Sequence, residues 1–150
     1  MKRSSEIRRA GLWQGAIDRV LLDADERQCR RTVLTGEKGT RFLLDLPDPT
    51  MLHDGDGLVL EDGTIVSVAG KPEPLVEIAA ASADALVRLA WHLGNRHTAV
   101  QIVGERLRIR RDHVLEDMLS RLGARLTSIE APFDPEAGAY SHHHGQDNGS

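Results

Sequence analysis

The stretch "LVEIAAASADALVRLAWHLGNRHTAVQIVGERLRIRRDHVLEDMLSRLGARLTSI", Leu75 to Ile129, decides the fold. "LVEIAAA" reads as a strand. Ser82 is placed to cap a helix, with Asp84 in its first turn, where a side-chain oxygen and a negative charge both suit the free amide groups. Leu86, Leu89, Ala90 and Leu93 recur at helical spacing. Gly94 is expected to stop that helix as the left-handed residue past its end. "AVQIV" is a second strand, Gly104-Glu105 a turn, and "RLRIR" a third strand with Leu107 and Ile109 alternating against arginines. Asp112 is placed to cap a second helix with the stripe Val114, Leu115, Met118, Leu119 and Leu122, stopped by Gly123. "ARLTSI" closes the series. The order is β-α-β-β-α-β, the ferredoxin-like arrangement, with both helices on one face of an antiparallel sheet.

Upstream the pattern is β. "RQCRRTVLTGEKGTRFLLDL" holds two extended segments around a Gly-Glu-Lys-Gly turn. "LHDGDGLVLEDGTIVSVAG" holds the strands Leu58–Leu60 and Ile65–Val68 about Asp62-Gly63, a tight-hairpin signal. Ala16–Leu22 reads as a further strand. "GKPEP", Gly70 to Pro74, reads as a linker, because proline cannot donate to a central strand. After Pro132 the chain turns Gly-rich and polar. The fold class is therefore α+β: a small all-β domain over 1–70, a ferredoxin-like domain over 75–133, and a disordered His-containing tail over 134–150.

Bulk properties narrow the function. The length of 150 residues suits one ordinary or two small domains. A net charge of −4 argues against a general nucleic-acid or membrane-surface role. The single cysteine, Cys29, cannot form an internal disulfide, which fits a reducing compartment. The basic start "MKRSSEIRRAG" lacks the apolar run of a signal peptide, and no stretch reaches the ~18 apolar residues of a membrane span. A cytoplasmic protein is expected.

The histidines carry the chemistry. His97 follows a helix end and precedes a strand, a loop held by rigid neighbours. One imidazole is not a metal site, since such ions take about four ligands. A two-fold axis near His97 would bring two copies together. His92 lies one turn earlier at the edge of the apolar stripe, either a partly exposed helix residue or a secondary ligand. His113 opens the second helix, where the positive helix end disfavours an imidazolium. It is either an ordinary exposed side chain or a further ligand. His53, in a turn of the β domain, reads as an ordinary residue. His142, His143 and His144 form a run of the kind that binds metals by composition. No phosphate loop, GxSxG or HExxH is present. Glu116 and Asp117 read as partners of a helix start, and "RLRIRR" as a solvated strand face.

"HLGNRH" (His92–His97), "RRDHVLEDMLSRLGA" (Arg110–Ala124) and "APFDPEAGAYSHHHG" (Ala131–Gly145), in that order, resemble the UreE-type urease accessory proteins. "DGDGLVLEDGTIVSVAG" extends the resemblance into the first half. It implies a nickel metallochaperone rather than an enzyme, with a β-rich N-terminal domain similar to a peptide-binding domain of Hsp40-type chaperones and a dimerising ferredoxin-like C-terminal domain. It implies that His97 is the interfacial ligand from each subunit, with His92 and His113 at peripheral positions. Some relatives carry a His-x-His pair at the latter place; here Arg111 stands where the upstream histidine would be. The implied role is delivery of Ni²⁺ to the urease apoprotein alongside an accessory GTPase complex.

The reading is a cytoplasmic homodimer that carries Ni²⁺ between two His97 side chains, completed by His142, His143 and His144. Cu²⁺ or Zn²⁺ should also bind in vitro, since imidazole suits all three. An RNA-binding module shares the strand and helix order, but "AVQIV" and "RLRIR" lack the aromatics that stack bases. A metal-dependent enzyme would need an acid or base beside the metal, and no carboxylate flanks His97. A scaffold acting through the β domain is a further alternative.

Overall fold

A computed structural model describes residues 1–136 of the chain. The histidine run at 142–144 and most of the expected tail, 137–150, lie outside the described residues. The fold is mixed α+β, strand-rich, with two sheets. The chain divides into two compact units, Met1–Lys71 and the residues from Pro72 on.

The first unit is a six-stranded mixed sheet. Its strands are β1 (Lys2–Arg8), β2 (Ala16–Leu22), β3 (Gln28–Thr35), β4 (Arg41–Met51), β5 (Gly57–Leu60) and β6 (Ile65–Gly70), in the order β2-β6-β5-β1-β4-β3. A single turn of helix, α1 (Ala24–Arg27), joins β2 to β3, and Asp23 and Glu26 cap it reciprocally. Period-two burial directs Val20, Leu22, Leu34, Phe42, Leu44, Leu46, Leu58, Leu60, Val66 and Val68 into one core. The hairpin read at Asp62-Gly63 is present, with Gly63 at φ 87° and Leu60 donating to Thr64 at 2.8 Å. Strand β1 was not legible: only Ser4 of "KRSSEIR" is buried. The backbone holds it in place, parallel to β4 and antiparallel to β5.

The turn after β3 is built on Asp18. Its carboxylate accepts the amides of Lys38 (2.9 Å), Thr40 (3.0 Å) and Arg19 (2.7 Å). The approach is so close that a Cβ on Gly36 would lie 2.2 Å from Asp18 Oδ2, so that position must be glycine. Burial works to raise the Asp18 carboxyl, but the donors from Lys38, Arg19 and Thr40 outweigh it and hold it at about 2 against an ordinary 3.8. A depressed carboxyl stabilises the fold above its unfolded value and loses that effect as pH falls through its folded value. The Asp18 contribution is thus complete above about pH 4 and disappears toward pH 2. In Asp18→Asn, stability at neutral pH should drop and the dependence between pH 4 and 2 should flatten, as read by circular dichroism in urea. An unaltered acid slope would remove Asp18 from this role.

The second unit runs β7 (Pro72–Ala79), α2 (Ala83–Asn95), β8 (Gln101–Val103), β9 (Arg106–Arg110), α3 (His113–Arg121) and β10 (Arg125–Pro132). Its antiparallel sheet has the order β10-β7-β9-β8. Val76, Ile78, Leu107 and Ile109 point to one face and pack with Leu89, Leu93 and Leu119 of the helices. Glu77 pairs with Arg106 and Arg108, and Glu73 with Arg110.

Three expectations are corrected here. The Pro72–Pro74 stretch is not a linker but the start of β7, a central strand. Strand β9 reaches β7 only from Leu75 on, so both prolines have β10 alone beside them and no second ladder to break. In α3, Val114 is 70% exposed and Leu122 46% exposed; the packed stripe is Leu115, Met118 and Leu119. Gly94 does not terminate α2 but lies within it.

Candidate metal centre

What ends α2 is His97. The helix is capped at Arg96, and His97 follows at φ 58°, the one non-glycine residue with positive φ among the described residues. The His97 amide donates to Gly94 O at 3.0 Å and the Thr98 amide to Leu93 O at 3.1 Å. This bond pair is the Schellman motif, whose left-handed position glycine normally fills. Helix α3 provides an internal comparison. Past its cap at Leu122 comes Gly123 at φ 90°, its amide donating to Ser120 O and that of Ala124 to Leu119 O, both at 3.0 Å. The two helices end by the same turn, one with glycine and one with an exposed histidine. A side chain in this conformation costs about 1–2 kcal/mol.

The sheet register gathers the other candidates. Gln101 pairs with Arg108, Leu75 with Arg110, and Pro132 with Pro72. The start of β8 and the ends of β9 and β10 therefore share one end of the sheet. The His97 loop, the start of α3 with His113, and the chain leaving β10 all emerge there. A cleft of about 160 Å³ lies between them, lined by Thr98, Ala99, Arg110, Arg111, Asp112, Leu115 and Phe133.

His113 is the exposed first residue of α3. Asp112 caps that helix, accepting from Leu115 N at 3.0 Å, and Glu116 accepts the Asp112 amide at 2.8 Å. Arg111 grips Glu116 with two nitrogens and donates to Ser128 Oγ at 2.7 Å. That hydrogen-bonded pairing, against an opposing effect of burial, holds the Glu116 carboxyl below its ordinary range, with further help from the Asp112 amide and His113. Arg111 thereby fixes the helix start. His92 is half-buried, edge-on to Trp91 with ring centroids 5.1 Å apart. His53 lies in the first unit, where its amide donates to Asp56 in a turn. Among the described residues, no three His, Cys, Asp or Glu side chains gather closely enough to hold a metal ion. The arginines of β9 are engaged by Glu77 and Glu73.

Two features escaped the sequence reading. One is the left-handed backbone at His97. Its signal was the missing glycine: "GNRHT" supplies Gly94 three residues before the turn needs one. The other is Phe133, fully buried in a run that reads as irregular. Its signal was a single large aromatic among prolines and acids.

His97 and His113 thus stand exposed at one end of an α+β unit. A family model described as the C-terminal domain of the UreE urease accessory protein matches residues 73–150, and one described as its N-terminal domain matches residues 3–70. The chain belongs to the UreE urease accessory protein family. The urease accessory protein UreE of Bradyrhizobium sp. (strain ORS 278) is 54% identical over 149 residues, covering 97% of this chain and 71% of the relative. That of Rhodobacter capsulatus is 48% identical over 140 residues, covering 93% and 87%. That of Ruegeria pomeroyi is 47% identical over 137 residues, covering 91% and 90%. These relatives are named as accessory proteins, not enzymes. No helix among the described residues is long and apolar enough to cross a membrane.

Proposed function

We propose that this chain carries Ni²⁺ for assembly of the urease active site, as a cytoplasmic homodimer in which the His97 side chains of two subunits share the ion. The observation that carries the reading is the histidine in the left-handed position. Strain of this kind persists where a side chain is needed, and inference runs from the outlier to a role. The second unit is read as ferredoxin-like, a view supported by the β-α-β-β-α-β order and by both helices packing on one sheet face. Trp91 and Val87, 63% and 67% exposed and one helical turn apart, supply apolar surface that a two-fold contact near His97 would cover. Two imidazoles leave coordination positions open, so an ion is held without being trapped.

His142, His143 and His144 are assigned as the completing ligands. Glu136 N bonds Val100 O at 2.8 Å, so the described chain leaves beside the His97 loop. Six residues further is His142, a span of at most about 20 Å. His92 and His113 are auxiliary positions on the same end of the unit. The urease apoprotein and an accessory GTPase complex are the receiving partners in this reading, and the first unit is assigned a peptide-binding-like role. Cu²⁺ should bind more tightly than Ni²⁺, so selection in the cell falls to supply and partners. Protons compete with the metal for imidazole, so binding should weaken as pH falls.

Native mass spectrometry with and without Ni²⁺ tests the reading. A dimer retaining one tightly held ion, which is held less tightly when the three tail histidines become alanine, is the expected result. A monomer holding its own ion would overturn the shared site.

A further inference from the structure

Past β10 the chain does not simply leave. Phe133 is fully buried. The Arg110 guanidinium sits over its ring at 5.1 Å, and Glu73 pairs with that guanidinium at 3.0 Å. Asp134 N donates to Gln101 Oε1 at 3.1 Å, and Glu136 N to Val100 O at 2.8 Å. Phe133 also walls the cleft that Thr98 and Ala99 share. The residues from 133 to 136 therefore run as a strap across the point where the His97 loop enters β8.

That loop is short, and its other end is fixed by the Schellman bonds from His97 and Thr98. Its C-terminal end has little of its own to hold it, since β8 is a three-residue edge strand paired, among the described residues, only with β9. Val100 packs only partly buried against the core, and Ile102 and Val103 stay exposed, so side-chain packing holds that end weakly.

We propose that Phe133 is a positioning residue for His97: the strap it anchors fixes the far end of the metal-binding loop. This rests on the reading of His97 as the shared nickel ligand. Residues that orient a metal ligand without touching the ion typically change affinity about 10–100-fold when removed. An aromatic plug at 133, with Arg110 over its ring, acts through the backbone of residues 98 to 101.

The test is Ni²⁺ titration calorimetry on the full-length Phe133→Ala chain, beside His97→Ala, Phe133→Tyr and Leu119→Ala. The last removes a buried core side chain of the same unit and serves as a control for general loss of stability. Phe133→Ala should weaken the tight site about tenfold or more, while Phe133→Tyr keeps it and Leu119→Ala, though less stable, stays within about threefold of wild type. Equal weakening by Leu119→Ala would overturn the proposal, because affinity would then merely follow stability. So would a Phe133→Ala chain that binds like wild type, or one that no longer forms the wild-type assembly. If His97→Ala itself binds normally, the reading of His97 fails; if only Phe133→Ala does, the strap alone fails.

Discussion

His97→Gly should melt higher than the wild type while losing tight Ni²⁺ binding. The turn at the end of α2 asks for a residue without a Cβ, and the matching turn of α3 has one in Gly123. Removing the side chain releases about 1–2 kcal/mol of left-handed strain. The greater freedom of glycine in the unfolded chain returns about half of that. A net gain of up to about 1 kcal/mol should remain, a rise of several degrees in a unit of this size. Nickel affinity should fall at least about 100-fold, beyond what loss of an orienting residue does. His97→Ala separates the two effects: it loses the ligand and keeps the strained Cβ, so it should bind as poorly as the glycine variant yet melt like the wild type. Differential scanning calorimetry and Ni²⁺ titration on the three chains measure both. A glycine variant that melts below the alanine variant would remove the strain argument. Tight binding by either would remove His97 from the site.

The helices were legible because a buried stripe has a period that residue types reveal. Leu89, Leu93 and Leu119 lie where the spacing places them, and the Ser82 and Asp112 caps form as read. Strand β1 was illegible because its place is set by backbone pairing, which leaves no mark on a polar heptapeptide. The prolines of β7 misled for a related reason. A missing donor matters only where a second strand is present to use it, and the extent of β9 is not written in "GKPEP".

The candidate site divides in the same way. That histidines were the candidates was legible from their types and places. That His97 and His113 emerge from one end of a sheet required the strand register, and that Phe133 braces the first of them required burial. The turn at His97 shows the limit most sharply. Gly94 was the natural choice for the helix stop, because glycine tolerates the left-handed conformation at least cost. The helix runs through it, and the stop falls on a residue that pays for its place in strain. Preference by type names the cheapest residue for a turn, and a residue kept for its chemistry need not be the cheapest.

Leu93→Ala should nearly unfold the second unit, and Ni²⁺ should bring it part of the way back. Leu93 is fully buried in the helix–sheet core, and its carbonyl accepts the Thr98 amide that closes the turn at His97. Truncating a buried leucine costs about 2–5 kcal/mol, against a total of about 5–15 kcal/mol for an ordinary domain. Amide exchange in β7 and β9 should quicken by two orders of magnitude or more, while exchange in the first unit serves as an internal reference. An ion bound only by the folded state at a hundred times its dissociation constant adds about 2.7 kcal/mol. Nickel should therefore slow that exchange again in Leu93→Ala, and should not do so once His97→Gly is added to the same chain. The turn, the core leucine and the imidazole are joined by one stretch of backbone, so on the proposed site the metal's effect on this core should depend on His97. Equal rescue in the double variant would place the ion elsewhere.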